Sequence, residues 1–348
     1  MSHPQSKRFR DQARGCRNLG SPMYDELLRR VADDLDAGGP SVAVLTGHEH
    51  DPGPSGLALR LAGSVHRLVL ERRAGALAAC YPTVGGTWNL DTGWPAFREL
   101  LGEQPEAVRE WLDRPPQTNE VGRATALLTG LLDADRQRRL PVRLFEIGSS
   151  GGLNLLFDRF RYLWPGGSLG ADDSPVVLEP AWAAPAPAGV VPHVVERLGS
   201  DVMPLAARST EGRLALTAYV WPDQVTRFER LRGALRLASE TPYDVRRQAA
   251  GDFVEEMALR PGTTTVLWHS VMWQYLPRAE QDRILVRLDQ LGSTAHEDSP
   301  LVHLYAEPTR RSPDSPHEFL VCAHRWPGGG KRRVLGTMAP HGLPVTLE

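Results

Sequence analysis

Residues 144–156 read LFEIGSSGGLNLL: a short apolar run, then two serines set among Gly148, Gly151 and Gly152, then a second apolar run. An apolar run of this length closed by glycine has the pattern of a buried strand, and glycine supplies the left-handed backbone that a tight turn needs. A strand, a glycine turn and a helix-like segment GLNLLFDRF in succession open an α/β sheet, whose ligands bind outside the carboxyl ends of the strands.

Three chemistries use such a turn. A dinucleotide-binding turn wants G-x-G-x-x-G, and here Ser150 and Leu153 stand at the second and third glycine positions. A nucleophile elbow wants G-x-S-x-G, which Gly148 to Gly152 satisfy with Ser150 as nucleophile, but a hydrolase sheet needs strands before the elbow. The cofactor turn of S-adenosylmethionine-dependent methyltransferases runs acid, any, Gly, any, Gly, any, Gly. Glu146, Gly148 and Gly152 match it, and Ser150 departs from it. In that reading bare backbone at Gly148, Ser149, Ser150 and Gly152 admits the methionine part of the cofactor, and Glu146 receives its ammonium.

Upstream of this turn the pattern is helical. Apolar residues recur three or four apart in MYDELLRRVADDL, after the cap candidate Ser21 and Pro22, and in LALRLAGSVHRLVLERR, AFRELLGEQPEAVREWL and TNEVGRATALLTGLLDADRQRR. The last begins at the cap candidate Thr118 and ends in the basic run RQRR, where cations suit the helix dipole. Downstream, an irregular stretch at about 161–190 leads to the extended run PHVVERLG. A helix DQVTRFERLRGALRLASE, strands at YDVRRQAAGD and TTTVLWHS, a helix RAEQDRILVRLDQLG and three extended segments follow. Strands alternating with helices predict a mostly parallel sheet closed by an antiparallel edge hairpin. The expected organisation is a helical region over 1–139 and a Rossmann-type α/β domain over 140–348.

Carboxylates downstream fit the third chemistry. An acid at the end of the second strand would take ribose hydroxyls, and Asp201 of RLGSDVMPL holds that place, with Asp223 of WPDQ as a rival that also reads as a helix N-cap. Asp252 in the G-D step of AAGDFVEEM would face the adenine amine, with Phe253 beside the base. Asn119, Glu120 and Arg123 of PPQTNEVGR could hold a zwitterionic substrate, or could simply start a helix. His269, at the end of a strand, is the candidate base. Trp273, Gln274 and Tyr275 beyond it would wall the transfer centre from water, unless the aromatics are core anchors.

The chain resembles the bacterial family catalogued as domain of unknown function 2332. The resemblance lies in SPMYDELLRRVADDL (21–35), RLAGSVHRLVL (60–70), PPQTNEVGR (115–123), LFEIGSSGGLNLLFDRF (144–160), RLGSDVMPL (197–205), YVWPDQ (219–224) and TTTVLWHSVMWQYLP (263–277). It covers nearly the whole chain. It implies a helical amino-terminal region joined to a methyltransferase-like domain, and it carries over no catalytic residue.

Composition narrows the functions further. The 348 residues are 41% hydrophobic and 24% charged, with 40 Lys and Arg against 42 Asp and Glu. That is an ordinary globular balance, and a net charge of −2 gives no field favouring nucleic acid. Cys16, Cys80 and Cys322 are far apart and odd in number, which argues against a disulfide framework and for a reducing, cytoplasmic setting. No apolar run reaches membrane-span length. His48, Glu49, His50 and Asp51 sit among turn formers with no further cluster to complete a shell, so no metal is expected, and His66 reads as a buried helix histidine. The sequence therefore predicts a methyltransferase using S-adenosylmethionine on a small molecule. A serine hydrolase through Ser150 and a ligand-binding protein without chemistry are the alternatives.

Overall fold

A computed structural model describes residues 2–134, 140–183 and 185–348. The basic run RQRR expected at a helix end lies outside the described residues, as does the boundary drawn at 139. Before the first strand the α-helices are α1 (Ser6–Asn18), α2 (Pro22–Asp36), α3 (Pro40–Val44), α4 (Leu57–Leu70), α5 (Leu90–Glu103), α6 (Pro105–Arg109) and α7 (Ala124–Ala134). Ser21 caps α2 by accepting from the Tyr24 amide at 3.2 Å, and Pro22 takes the first helical position, where no N–H is needed. The stretch read as one helix over AFRELLGEQPEAVREWL is two, because Pro105 forces the preceding residue out of the helical region.

The strands are β1 (Val142–Ile147), β2 (Arg161–Trp164), β3 (Gly167–Leu169), β4 (Val177–Leu178), β5 (Val194–Asp201), β6 (Asp244–Arg247), β7 (Thr264–Ser270), β8 (Leu301–Arg310), β9 (His317–Trp326), β10 (Arg333–Met338) and β11 (Val345–Leu347). Between and after them lie α8 (Thr210–Ala218), α9 (Val225–Glu240), α10 (Ala250–Glu255) and α11 (Arg278–Ser293). The main sheet runs β11-β10-β9-β8-β7-β1-β5-β6. Its strands from β6 to β8 are parallel, and β9, β10 and β11 return antiparallel, so the closing part is a three-strand meander rather than one edge hairpin. The insertion after β1 forms a separate small sheet, β3-β2-β4.

Two compact units result. One comprises the residues up to Thr118 together with Thr210–Glu229, and the other comprises Asn119–Ser209 and Arg230–Glu348. In the first, Phe9, Leu27, Leu61, Val65, Tyr81 and Phe97 pack with Trp221, which comes from the returning segment. The division thus differs from a single cut at 139. Helix α7 falls with the sheet because its apolar face packs on β8 and β9, close enough that a Cβ at Gly130 would lie 2.6 Å from Leu304.

The sheet's two faces carry different cores. Phe145, Ile147, Leu267 and Leu301 point to the side of α10 and α11, where Phe253, Ile284, Leu288 and Leu291 meet them. Glu146 and its register partner Trp268 point to the other side. Among the parallel strands, numbering by chain order reads 3-2-1-4-5, so connections leave β1 in opposite directions at the gap between β1 and β7. That gap, at the carboxyl ends, is where α/β sheets of this kind hold ligands.

Candidate functional site

The loop after β1 begins beside this gap, where Met272 stands against Gly148, and runs over the ends of β5 and β6. Gly148, Ser150 and Gly152 all have left-handed backbone, with φ of 66°, 53° and 71°. Ser149 pins the turn to the neighbouring strand: its amide donates to the Ser200 carbonyl at 3.0 Å, and its hydroxyl lies 3.0 Å from the carbonyls of Glu146 and Ser200. Gly199 makes room for that hydroxyl, since a Cβ there would stand 2.3 Å from it. The turn then enters a 3-10 segment, Leu153–Arg159, instead of the α-helix read from GLNLLFDRF. Leu153 N–H is capped from outside by Asn119 Oδ1 at 2.8 Å.

Asp201 stands at the end of β5 beside this turn. Its Oδ2 accepts from the Ser150 amide at 2.9 Å and its Oδ1 from the Met203 amide at 2.8 Å. A carboxylate has about four lone-pair sites, so two amides leave capacity for a ligand's hydroxyls. Glu146, the last-but-one residue of β1, is buried, and burial pushes its carboxyl up to about 8 against the pull of the Asn154 amide and the Trp268 indole. Its Oε2 has no hydrogen-bond partner, nor does Ser150 Oγ nor Asn154 Oδ1.

Side chains crowd the glycines. A Cβ at Gly148 would lie 2.8 Å from Met272, and one at Gly152 would lie 2.7 Å from Tyr243, whose hydroxyl donates to Gly151 O at 3.0 Å. Bare backbone at these two positions therefore serves close packing within the protein, which the sequence reading had assigned to the ligand. Ser149, likewise expected to meet cofactor, spends its hydroxyl on the β1–β5 junction.

Other expected site residues lie elsewhere or are already engaged. Asp223 belongs to the helical unit, where Ser21 Oγ donates to its Oδ1 at 2.7 Å and Met23 N to its Oδ2 at 2.9 Å, so it fastens the start of α2. Asp252 is exposed in the first turn of α10 and pairs with Arg283 at 2.7 Å. Phe253 does not flank a base: it is fully buried, its ring 6.1 Å from that of Phe145. Glu120 accepts from the Gly122 amide at 3.1 Å, which is the capping role, and Arg123 Nε donates to Pro340 O at 3.3 Å. Asn119 of PPQTNEVGR reaches the turn through Leu153, and the Arg123 charge is near enough to pull the Glu146 carboxyl down against its burial.

His269 is not placed as a base toward a ligand. It is buried, with Nδ1 2.8 Å from Glu307 and Nε2 3.0 Å from His303 Nε2. Trp273 stacks on its ring at 4.9 Å, while Gln274 is exposed and Tyr275 is 65% exposed, so Tyr275 is no core anchor. Glu307, His303, Met272 and Asn154 are the residues that sequence reading missed. The alternation His303, Tyr305, Glu307 in LVHLYAEP was the available signal, because every second residue of a strand shares a face.

Two of the other histidines, His48 and His66, are held locally. His48 joins Asp51 at 3.0 Å, and Asp51 joins Arg60 at 2.9 Å. His66 sits between Ala218 O at 3.0 Å and Thr83 Oγ1 at 2.8 Å. Among the described residues no group of three or more His, Cys, Asp or Glu side chains is arranged to hold a metal ion, and no helix is long and apolar enough to cross a membrane.

A family profile described as an uncharacterised protein conserved in bacteria, DUF2332, matches residues 6–346. No curated protein matches the chain.

Proposed function

The chain belongs to the bacterial family DUF2332, and from that premise we propose that it binds S-adenosylmethionine at the turn after β1 and transfers the methyl group to a small-molecule acceptor. The observation that carries this reading is Glu146: a buried carboxyl at the end of β1 with one oxygen unpartnered, pushed up to about 8 by burial. A buried acid held mostly neutral at pH 7 becomes a carboxylate when a cation settles beside it. Two further features support it. The parallel strands have the order of a nucleotide-binding sheet, and Asp201 ends the strand next to β1 with acceptor capacity to spare.

In this reading Glu146 takes the ammonium of the cofactor and Asp201 the ribose hydroxyls, while the Ser150 amide stays fixed by Asp201. The cofactor supplies a methyl group on a sulfonium, already activated for displacement. The protein's own work is to orient the acceptor in line with that methyl group and to exclude water. With His269 enclosed by Glu307 and His303, the acceptor must arrive unprotonated or give up its proton to solvent.

Titration calorimetry with S-adenosylhomocysteine in buffers of different ionisation enthalpy tests this. At pH 7 binding should release a proton from Glu146, and Glu146→Gln should abolish the release. No heat with S-adenosylhomocysteine, S-adenosylmethionine or a nicotinamide dinucleotide would end the reading.

The hydrolase alternative retains one favourable observation, the left-handed backbone of Ser150, which is the strained setting of an elbow nucleophile. Against it, Ser150 Oγ has no hydrogen-bond partner, and a serine nucleophile needs a base beside it. A fluorophosphonate probe should leave Ser150 unlabelled. Ser150→Gly should preserve ligand binding and relieve the backbone by about 1 kcal/mol, the scale of the left-handed penalty for a residue bearing a Cβ.

A further inference from the structure

The α10 and α11 side of the sheet carries a buried polar chain, built on His269, Glu307 and His303, that the proposed function does not use. Glu307 of β8 is 4% exposed, and its Oε1 accepts from His269 Nδ1 at 2.8 Å, Met272 N at 3.1 Å and Trp273 N at 3.3 Å. Two backbone amides already point at this oxygen, so it is an acceptor and His269 Nδ1 carries a hydrogen. His269 Nε2 and His303 Nε2 are 3.0 Å apart, so one must donate to the other. Burial, with the His269 and His324 rings beside it, holds His303 neutral, so the shared hydrogen between the two Nε2 atoms adds no charge at His303.

This chain ends on a strained piece of backbone. Val271, just past β7, has φ of 52°, a left-handed conformation that β-branched residues avoid. Such outliers persist only where the surroundings over-determine them. Here Val271 N donates to Ala306 O at 3.2 Å, Glu307 binds the next two amides, and Trp273 lies on His269, itself stacked on Tyr305 at 5.3 Å. The result is that Met272 stands against Gly148, at the start of the glycine turn.

We propose that Glu307 is a positioning residue for the glycine turn: it holds Val271 left-handed and Met272 beside Gly148, with His269 and His303 as its support. The proposal rests on the reading that this turn holds the ligand. It predicts that Glu307→Leu makes amides of both 148–152 and 271–273 exchange about tenfold faster, with the amides of β9 unchanged, as expected of a local opening. Glu307→Gln keeps a carbonyl oxygen for the three donors and should restore protection. Met272→Ala should speed exchange at 148–152 alone, and it carries the test if Glu307→Leu does not fold.

Affinity for S-adenosylhomocysteine, measured by calorimetry on the same proteins, should fall about tenfold in Glu307→Leu and stay within about threefold in Glu307→Gln, one decade being the effect of a single lost interaction. Coupled exchange in the variants, together with a wild type that binds no S-adenosylhomocysteine, would overturn the proposed function and leave the positioning role standing. Faster exchange spread evenly over the sheet, or 148–152 unmoved in both Glu307→Leu and Met272→Ala, would overturn the positioning role whatever the ligand.

Discussion

Glu146 and His66 are both buried, and burial acts on them with opposite signs. Burial raises Glu146 from 4.5 to about 8, so between these values the native state keeps a proton that the unfolded chain has released. Stability from this group is complete below 4.5 and drains away as pH climbs through 8. Burial lowers His66 from 6.5 to about 4, against the pull of the Ala218 carbonyl, so there the unfolded chain binds the extra proton. That contribution is present above 6.5 and is lost as pH falls through 4. Urea melts across pH should therefore show Glu146→Gln flattening the alkaline decline, and His66→Phe flattening the acid one. The second change should also cost about 1–3 kcal/mol for stranding the Ala218 carbonyl. Glu146 was legible because an acid ahead of a glycine turn is conspicuous. Phe253 was misread because sequence shows adjacency to Asp252 and not the direction of a side chain, and the ring turned inward onto Phe145.

Two elements show what spacing conveys and what it hides. Helix α2 announces its start through Ser21 and Pro22, yet the second half of its cap arrives from Asp223, some two hundred positions later. Asp223→Ala should cost about 1–2 kcal/mol of stability, the worth of a good cap, and leave S-adenosylhomocysteine affinity untouched. Asp201→Asn should do the reverse, weakening that affinity by about 1.5–3 kcal/mol as a hydrogen bond to a charged group is lost. A urea melt and a calorimetric titration of each variant check the pair, and the ribose assignment moves if the affinity ranking inverts. The strand and turn at 142–152 were readable from local pattern, since glycine and apolar runs act over neighbours. The meander of β9 to β11, and the 3-10 segment where a helix was expected, were not. Those depend on what the rest of the chain leaves available to pair.

The molecule as a whole divides along packing and not along sequence. A change of period at residue 140 is visible in the letters, but it marks where strands begin, and α7 crosses that mark to cover β8 and β9. Thr210–Glu229 crosses in the other sense, bringing Trp221 into the helical core. Cutting the gene at 139 should thus give two poor fragments: 1–139 short of Trp221, and 140–348 with Leu304 uncovered. Circular dichroism and proteolysis should find neither as cooperative as the full chain, and a sharp melt of 1–139 alone would contradict this.

The return of Thr210–Glu229 also sets an order of events on the ribosome. Domains usually fold as the amino end emerges, but here the first hundred or so residues cannot complete their core until Glu229 has been made. By then β1, the glycine turn and β5 are already synthesised, and they must wait in the nascent chain for β7 and β8. Neither unit can finish early, so the chain stays open to chaperones and proteases through most of its translation.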